Sequence, residues 1–253
     1  MALGRWYRER RRARWLRQQP PEPGRWRRVL ESLPLLTRLD TDARHRLGEL
    51  STLFVREKQW FPTQELALDE EQRLWIAAQA CLPILNLGLE WYRGWHSLVI
   101  YPGSFLVSRE YADAAGVIHR DQEARAGEAW LGGPMVLSWE DMDAHAGAVG
   151  FNVIIHECSH KLDMLSGEAN GRPPLHREMS PRRWAQVLGG AYERLCQAVA
   201  QGEAHFLDAY GAEAPAEFFA VASEAFFTLP GALREELPAL YRELAAFYRQ
   251  DPA

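Results

Sequence analysis

Two imidazoles and a carboxylate fall within five residues, His156-Glu157-Cys158-Ser159-His160. This is the H-E-x-x-H spacing. On a helix turning ~100° per residue, positions four apart lie one above the other. Both rings can then bind one tetrahedral cation such as zinc without backbone strain. Glu157 sits about a quarter-turn round, placed to take a proton from a water held by that cation, so it is the candidate general base. With His156 at zero on the helical wheel, His160 falls near ~40° and Asp163 near ~-20°, while Ile154, Cys158 and Leu165 take the far side. The run Val153-Ile154-Ile155 leads apolar chain into the motif. It sets the motif inside the protein, where paired imidazoles without a metal are poorly satisfied.

A hydrolytic site needs a third protein ligand and an open fourth position. The extended metzincin pattern is excluded, because Asp163 stands at its Gly place and Ser166 at its third His. The histidines at 45, 96, 119, 145, 176 and 205 have no supporting context. The segment from Tyr210 to Phe227 is different. Pro215 suits the first turn of a helix. Glu217 and Glu224, seven apart, share one face, and Phe219, Ala222 and Phe226 share the opposite, apolar one. Such a helix shows a carboxylate in front, as a glutamate ligand requires; an acidic solvent face has the same pattern.

These residues need elements to position them. Thr41-Asp42 reads as an N-cap before a helix with Leu47, Leu50 and Phe54 on one side. A second helix is predicted over about 69–85, with Pro83 to kink or end it. The period then changes. Short strands are predicted at Ser97–Tyr101, Phe105–Val107, Gly116–His119 and Pro134–Trp139. From Asp141 the pattern is helical again, over about 150–165, 180–202, 215–228 and 232–249. Helices, a small sheet and more helices make an α+β fold, mostly helical with a small mixed sheet beside the motif helix.

The 253 residues, 47% hydrophobic and 25% charged, are those of an ordinary globular chain. No apolar run reaches the ~18 residues of a membrane span. The start lacks the apolar core of a secretory signal. Three cysteines at unpaired spacing (81, 158, 196) fit reduced thiols in the cytoplasm. The net charge of -5 hides an asymmetry: residues 1–28 carry ten arginines against Glu9 and Glu22, about +8, and the rest is near -13. Lysine occurs only at 58 and 161. The run 18–24, rich in Gln and Pro, reads as a linker, so residues 1–30 form a basic Arg/Trp-rich arm before a domain over 31–253. Nucleic acid, anionic lipid and the protein's own acidic body are the partners such an arm can meet. A poorly ordered or loosely docked extension is the plainer expectation, and nucleic acid is not expected as a partner.

The blocks His156–Asp163, Asp208-Ala209-Tyr210 and Pro215–Glu224, with Leu87–Trp91 and Val99–Pro102, resemble the Mlc titration factor A family of bacterial zinc peptidases. The second block also resembles the metal-binding part of the anthrax lethal factor peptidase domain, a glutamate zincin. The resemblance covers roughly residues 31–253; the Arg-rich arm is not part of it. It implies a zincin-like domain, one zinc per chain held by His156, His160 and Glu217, Glu157 as base, and aminopeptidase-like action on short peptides. It also implies a partner, because relatives of this kind bind and sequester a glucose-responsive transcriptional repressor and so relieve repression of sugar uptake. Tyr210 matches the tyrosine seven residues before the glutamate ligand, and a hydrogen bond from it to the developing oxyanion is expected. Asp163 and Glu224 are expected to orient a ligand imidazole. The strand with Val136, Leu137 and Ser138 is the candidate to pair with an extended peptide, ordinary sheet membership being the alternative.

Overall fold

The arginine-rich arm is helical. A computed structural model describes residues 2–112, 118–125, 127–144 and 150–253. In it α1 (Ala2–Gln18) and α2 (Pro23–Ser32) flank the proline-rich break. Pro23 opens α2, and the Glu22 carboxylate caps it by accepting from Gly24 N (2.8 Å) and Arg25 N (2.6 Å). The arm meets the acidic body. Arg8 donates twice to Glu90 (3.0 and 2.7 Å), and Arg12 donates to Glu57 (2.9 and 2.6 Å) and to Glu90 (3.0 Å). α2 crosses residue 30, the boundary expected between arm and body, and buries Val29.

α3 (Thr41–Glu57) is capped one residue earlier than the sequence suggests, by Asp40, whose side chain accepts from Ala43 N. α4 (Glu70–Cys81) starts in a reciprocal capping box between Asp69 and Gln72. It stops two residues ahead of Pro83, as expected of chain that approaches a proline.

Between them the chain builds a mixed four-stranded sheet in the order β1 (Gln59–Pro62), β2 (Ser97–Tyr101), β6 (Met135–Ser138), β5 (Gly127–Ala129). β1, β2 and β6 run parallel, and β5 is antiparallel to β6. β3 (Phe105–Ala112) and β4 (Ile118–Arg125) form a separate antiparallel pair. Of the strand expected at 116–119, Ile118 and His119 fall in β4; Gly116 and Val117 lie outside the described residues, as does His145.

This order corrects one expectation. β6 is fully buried and lies between β2 and β5. Val136 and Leu137 are paired on both sides, and Ser138 pairs with Tyr101. A peptide cannot add to a strand whose two edges are taken. β5 is the edge.

After β6 come α5 (Trp139–Ala144), α6 (Val153–Asp163), α7 (Pro181–Gln201), α8 (Pro215–Thr228), α9 (Pro230–Glu236) and α10 (Pro238–Tyr248). The single helix expected over 232–249 is two, because Pro238 has no N–H to continue α9 and instead begins α10. Phe219, Phe226 and Phe227 of α8 pack with Trp184, Phe247 and Tyr248 of the neighbouring helices. This aromatic core fixes α8 from behind. The fold is α+β and mostly helical, as the pattern implies. Among the described residues no helix is long and apolar enough to cross a membrane.

Candidate metal centre

Every residue of α6 is buried, so its ligand-bearing face looks into a cleft rather than open solvent. Asn152 begins the helix: its side-chain oxygen accepts from Ile155 N (2.9 Å), and its Nδ2 donates to Gln79 Oε1 of α4 (2.7 Å). α8 packs alongside, bringing its acidic face to the two imidazoles.

Three atoms converge there. His156 Nε2 lies 3.0 Å from Glu217 Oε2, His160 Nε2 lies 3.2 Å from the same oxygen, and the two nitrogens are 3.1 Å apart. A tetrahedral zinc with bonds of about 2.0–2.1 Å separates its ligand atoms by roughly 3.3 Å. The observed triangle has the size such an ion needs. Among the described residues this is the group of His, Cys, Asp and Glu able to hold a metal.

Proton bookkeeping points the same way. His156 Nδ1 lies 2.7 Å from Glu224 Oε1. A carboxylate only accepts, so Nδ1 carries a hydrogen, and once the ring is neutral its Nε2 lone pair turns toward Glu217. His156 Nε2, His160 Nε2 and Glu217 Oε2 thus face one another at hydrogen-bond distance, an arrangement that requires a proton or a cation among them. Burial pushes the His156 imidazolium down, but hydrogen bonds to Glu217 and Glu224 outweigh it and hold the ring up at about 10. Burial raises the Glu217 carboxyl, yet the two imidazoles bring it well below the usual carboxylate range. A buried ring that keeps its charge sits in anionic surroundings, where a metal ion can replace the proton.

Glu224 does more than meet His156. Its other oxygen accepts from the backbone N–H of Asn152, so one carboxylate ties the ring and the start of its helix to α8. Glu224 thus meets the imidazole of His156, one of the two rings it was expected to orient. Asp163 does otherwise. Its carboxylate, fully buried, accepts from Asn170 N (2.6 Å), Gly171 N (2.6 Å) and Arg172 N (2.9 Å). His160 Nδ1 is buried with no hydrogen-bond partner among the described residues, so Asp163 does not orient that ring. It pins a loop instead. Gly171, at φ +76, is held so close to α8 that a Cβ there would lie 2.6 Å from the Pro215 carbonyl oxygen.

Glu157 and Tyr210 line the same cleft of about 400 Å³, with Phe151, Met164 and Val221 among its apolar walls. The Tyr210 ring centroid is 5.9 Å from that of His156. Opposite, β5 comes so near that a Cβ on Gly127 would lie 2.6 Å from Glu157 Oε1 and 2.7 Å from Val153 Cγ2. Only glycine fits there. Sequence reasoning missed this strand, which has three residues and no alternation to reveal it; a glycine ahead of Glu128-Ala129 is its sole signal.

It also missed the two lysines. Lys58 Nζ donates to the carbonyls of Tyr92 (3.2 Å) and Trp95 (2.6 Å), 3.4 Å from the Trp95 ring centroid. Lys161 Nζ donates to the carbonyls of Trp130 (2.7 Å), Gly133 (3.0 Å) and Pro134 (3.0 Å), 5.3 Å from that centroid. Burial pushes Lys58 down to about 7 and Lys161 down to about 8. Their scarcity was visible in the sequence; their use was not.

The model of the glucose-regulated metallo-peptidase M90 family matches residues 6–249, a span that includes most of the arm. The chain is 39% identical over 229 residues to Mlc titration factor A of Cronobacter sakazakii, covering 90% of this chain and 86% of that one. It is 38% identical over 242 residues to the protein of that name from Escherichia fergusonii (94% and 91% covered). With the protein of that name from Enterobacter sp. strain 638 the identity is 40% over 226 residues (87% and 84%). A match over nearly the whole chain, converging on the two helices that carry the imidazoles and the carboxylates, makes this protein a member of the glucose-regulated metallo-peptidase M90 family.

Proposed function

We propose that this chain is a zinc-dependent peptidase with a zincin-like domain over 31–253, acting on short peptides in an aminopeptidase-like way. The observation that carries the reading is the triangle of His156 Nε2, His160 Nε2 and Glu217 Oε2, with Glu157 one residue from a ligand and on the same cleft. Those three residues would hold the metal. When bound, zinc supplies a Lewis acid that acidifies a water and polarises a carbonyl.

The chain's own groups do the rest. Glu157 takes the proton of the attacking water and delivers it to the leaving amine. Tyr210 donates a hydrogen bond to the developing oxyanion. Glu224 keeps the His156 hydrogen on Nδ1 and its lone pair on the ligand side. The peptide adds to the free edge of β5, in place of the β6 residues Val136, Leu137 and Ser138. The arm over residues 1–30 lies on this body through Arg8 and Arg12. Sparse cysteine, with no disulfide among the described residues, supports a reducing compartment such as the cytoplasm.

Metal analysis of the purified protein, paired with hydrolysis of short peptides with and without chelator, tests this. Loss of turnover on chelation and its return with zinc are expected. Turnover indifferent to chelation removes the reading.

The relatives' name favours a second reading, in which this chain also titrates Mlc, a transcriptional repressor. It needs no hydrolysis. Calorimetry with purified Mlc and the Glu157→Gln variant separates the two: binding without turnover is expected, and no heat at micromolar concentrations rules the partner out.

A further inference from the structure

The turn that follows β5 is built more firmly than its exposure requires. Trp130 and Leu131 stand at its tip, 53% and 55% exposed. Among the described residues the other large exposed apolar side chains lie elsewhere, on α1 (Trp6, Tyr7), β1 (Phe61) and α7 (Val199). Of these, the Trp130–Leu131 pair continues a strand that lines the cleft. Consecutive bulky apolar residues in water are unfavourable unless something covers them.

The turn beneath them is clamped. Trp130 N donates to Pro134 O (3.2 Å) and Gly133 N to Trp130 O (3.0 Å). Gly132 takes φ +66, and a Cβ on Gly133 would lie 2.9 Å from Trp130 Cβ. One glycine permits the turn and the other lets the tryptophan fold over it. Three carbonyls of this one turn then converge on the ammonium of Lys161, whose three donors they satisfy. A planar guanidinium could not meet three acceptors grouped that way. Lys161 directly follows His160 on α6, so the turn is attached to the ligand helix itself and its distance from the metal site is set by one rigid element. A rigid tryptophan with few rotamers to lose makes an effective contact.

Resting on the peptidase reading, we infer that Trp130 and Leu131 form a side-chain platform that selects peptides carrying a bulky apolar residue as they lie along β5, with Lys161 as the positioning residue that holds the platform in register with the metal site.

The test uses peptides free of aromatic reporter groups: trialanine, and the tripeptides with Leu or Phe replacing one alanine at each position in turn. Zinc-loaded enzyme is assayed by chromatography of products, and binding to the Glu157→Gln variant by calorimetry. Wild type is expected to favour the best Leu or Phe peptide over trialanine by about tenfold in kcat/KM and in affinity. In the Trp130→Ala/Leu131→Ala variant, a surface change that leaves the core alone, that ratio falls toward one while trialanine is handled as before. Lys161→Met loses selectivity through KM with kcat retained, and Lys161→Arg does not rescue it. An unchanged ratio in the double variant overturns the platform. So does a variant that loses only binding to a folded protein such as Mlc. Wild type that neither binds nor cleaves any of these peptides sinks the peptidase reading itself, a distinct result.

Discussion

Two regions of this molecule pair basic nitrogens with glutamate oxygens at nearly the same distances, and only one of them has the donor set of a metal site. On the arm, Arg8 and Arg12 meet Glu57 and Glu90 at 2.6–3.0 Å, with Arg8 about half exposed. At the metal centre, His156 and His160 meet Glu217 and Glu224 at 2.7–3.2 Å, with Glu224 2% exposed. Water reaches Arg8 and can replace it at Glu90, so that pair matters little, whereas Arg12 is 15% exposed and packs its guanidinium between two glutamates. In the second set Glu224 is buried, and His156, His160 and Glu217 show only a small surface to the cleft. Every proton has to be placed, and losing one partner leaves the other stranded. The kind of nitrogen and the cleft beside it, not contact distance, separate a fastening from a candidate metal site: a guanidinium has no lone pair to offer, and an imidazole has.

The largest effect that tests this contrast is Glu157→Gln. It should keep the metal and lower peptide turnover by about 10³-fold or more, as expected for loss of a general base; turnover near wild type would remove Glu157 from that role. Next comes the buried carboxylate pair. Glu217→Ala should leave little metal after dialysis, read by elemental analysis. Glu224→Ala should hold metal 10- to 100-fold more weakly, as expected for losing the partner of a ligand imidazole. It should also be less stable by about 1–3 kcal/mol, because the Asn152 amide is left unpaired. Equal metal affinity in wild type and Glu224→Ala would make that carboxylate a mere fastening.

A third, smaller effect is read from pH in chelator-treated protein. His156 is held at about 10 when folded, above its ordinary value near 6.5. Its charged form therefore adds stability that is complete below about 6.5 and is lost as pH rises through about 10. Lys58 and Lys161 act oppositely. Their folded values of about 7 and 8 lie below the ordinary 10.5, so their contribution grows with pH over that interval. The informative quantity is thus the difference in Tm between wild type and His156→Gln, which should shrink from pH 6.5 to 10; a constant difference contradicts the electrostatic account. The smallest effect belongs to the arm. Arg12→Ala should lower stability by only about 1 kcal/mol at low salt and less at high salt, measured by urea unfolding. A loss several times larger would show that the arm is part of the core.

Much of the centre was legible because its parts are local. The two histidines and Glu157 share one turn of helix, and Glu217 and Glu224 share one face seven residues apart, so helical periodicity alone brings them into two clusters. What the sequence could not convey was how distant segments return. Asp163 falls on the same wheel sector as the imidazoles, but whether it meets a ring or a loop depends on residues 170–172 folding back, which no periodicity encodes. β6 reads as a strand, yet strand order follows from crossovers between parallel strands, so its burial between β2 and β5 was invisible. The arm's arginines read as loose because nothing local ties them to Glu57 and Glu90, 45 and 82 residues away.

The two lysines have a practical bearing. They are 9% and 3% exposed, and each ammonium is already engaged by backbone oxygens. Acylating reagents, and enzymes that modify ε-amines, therefore find neither target on the native surface. Covalent labelling at either position, followed by mass spectrometry, clocks how often the strand–helix seam around Trp95 comes apart.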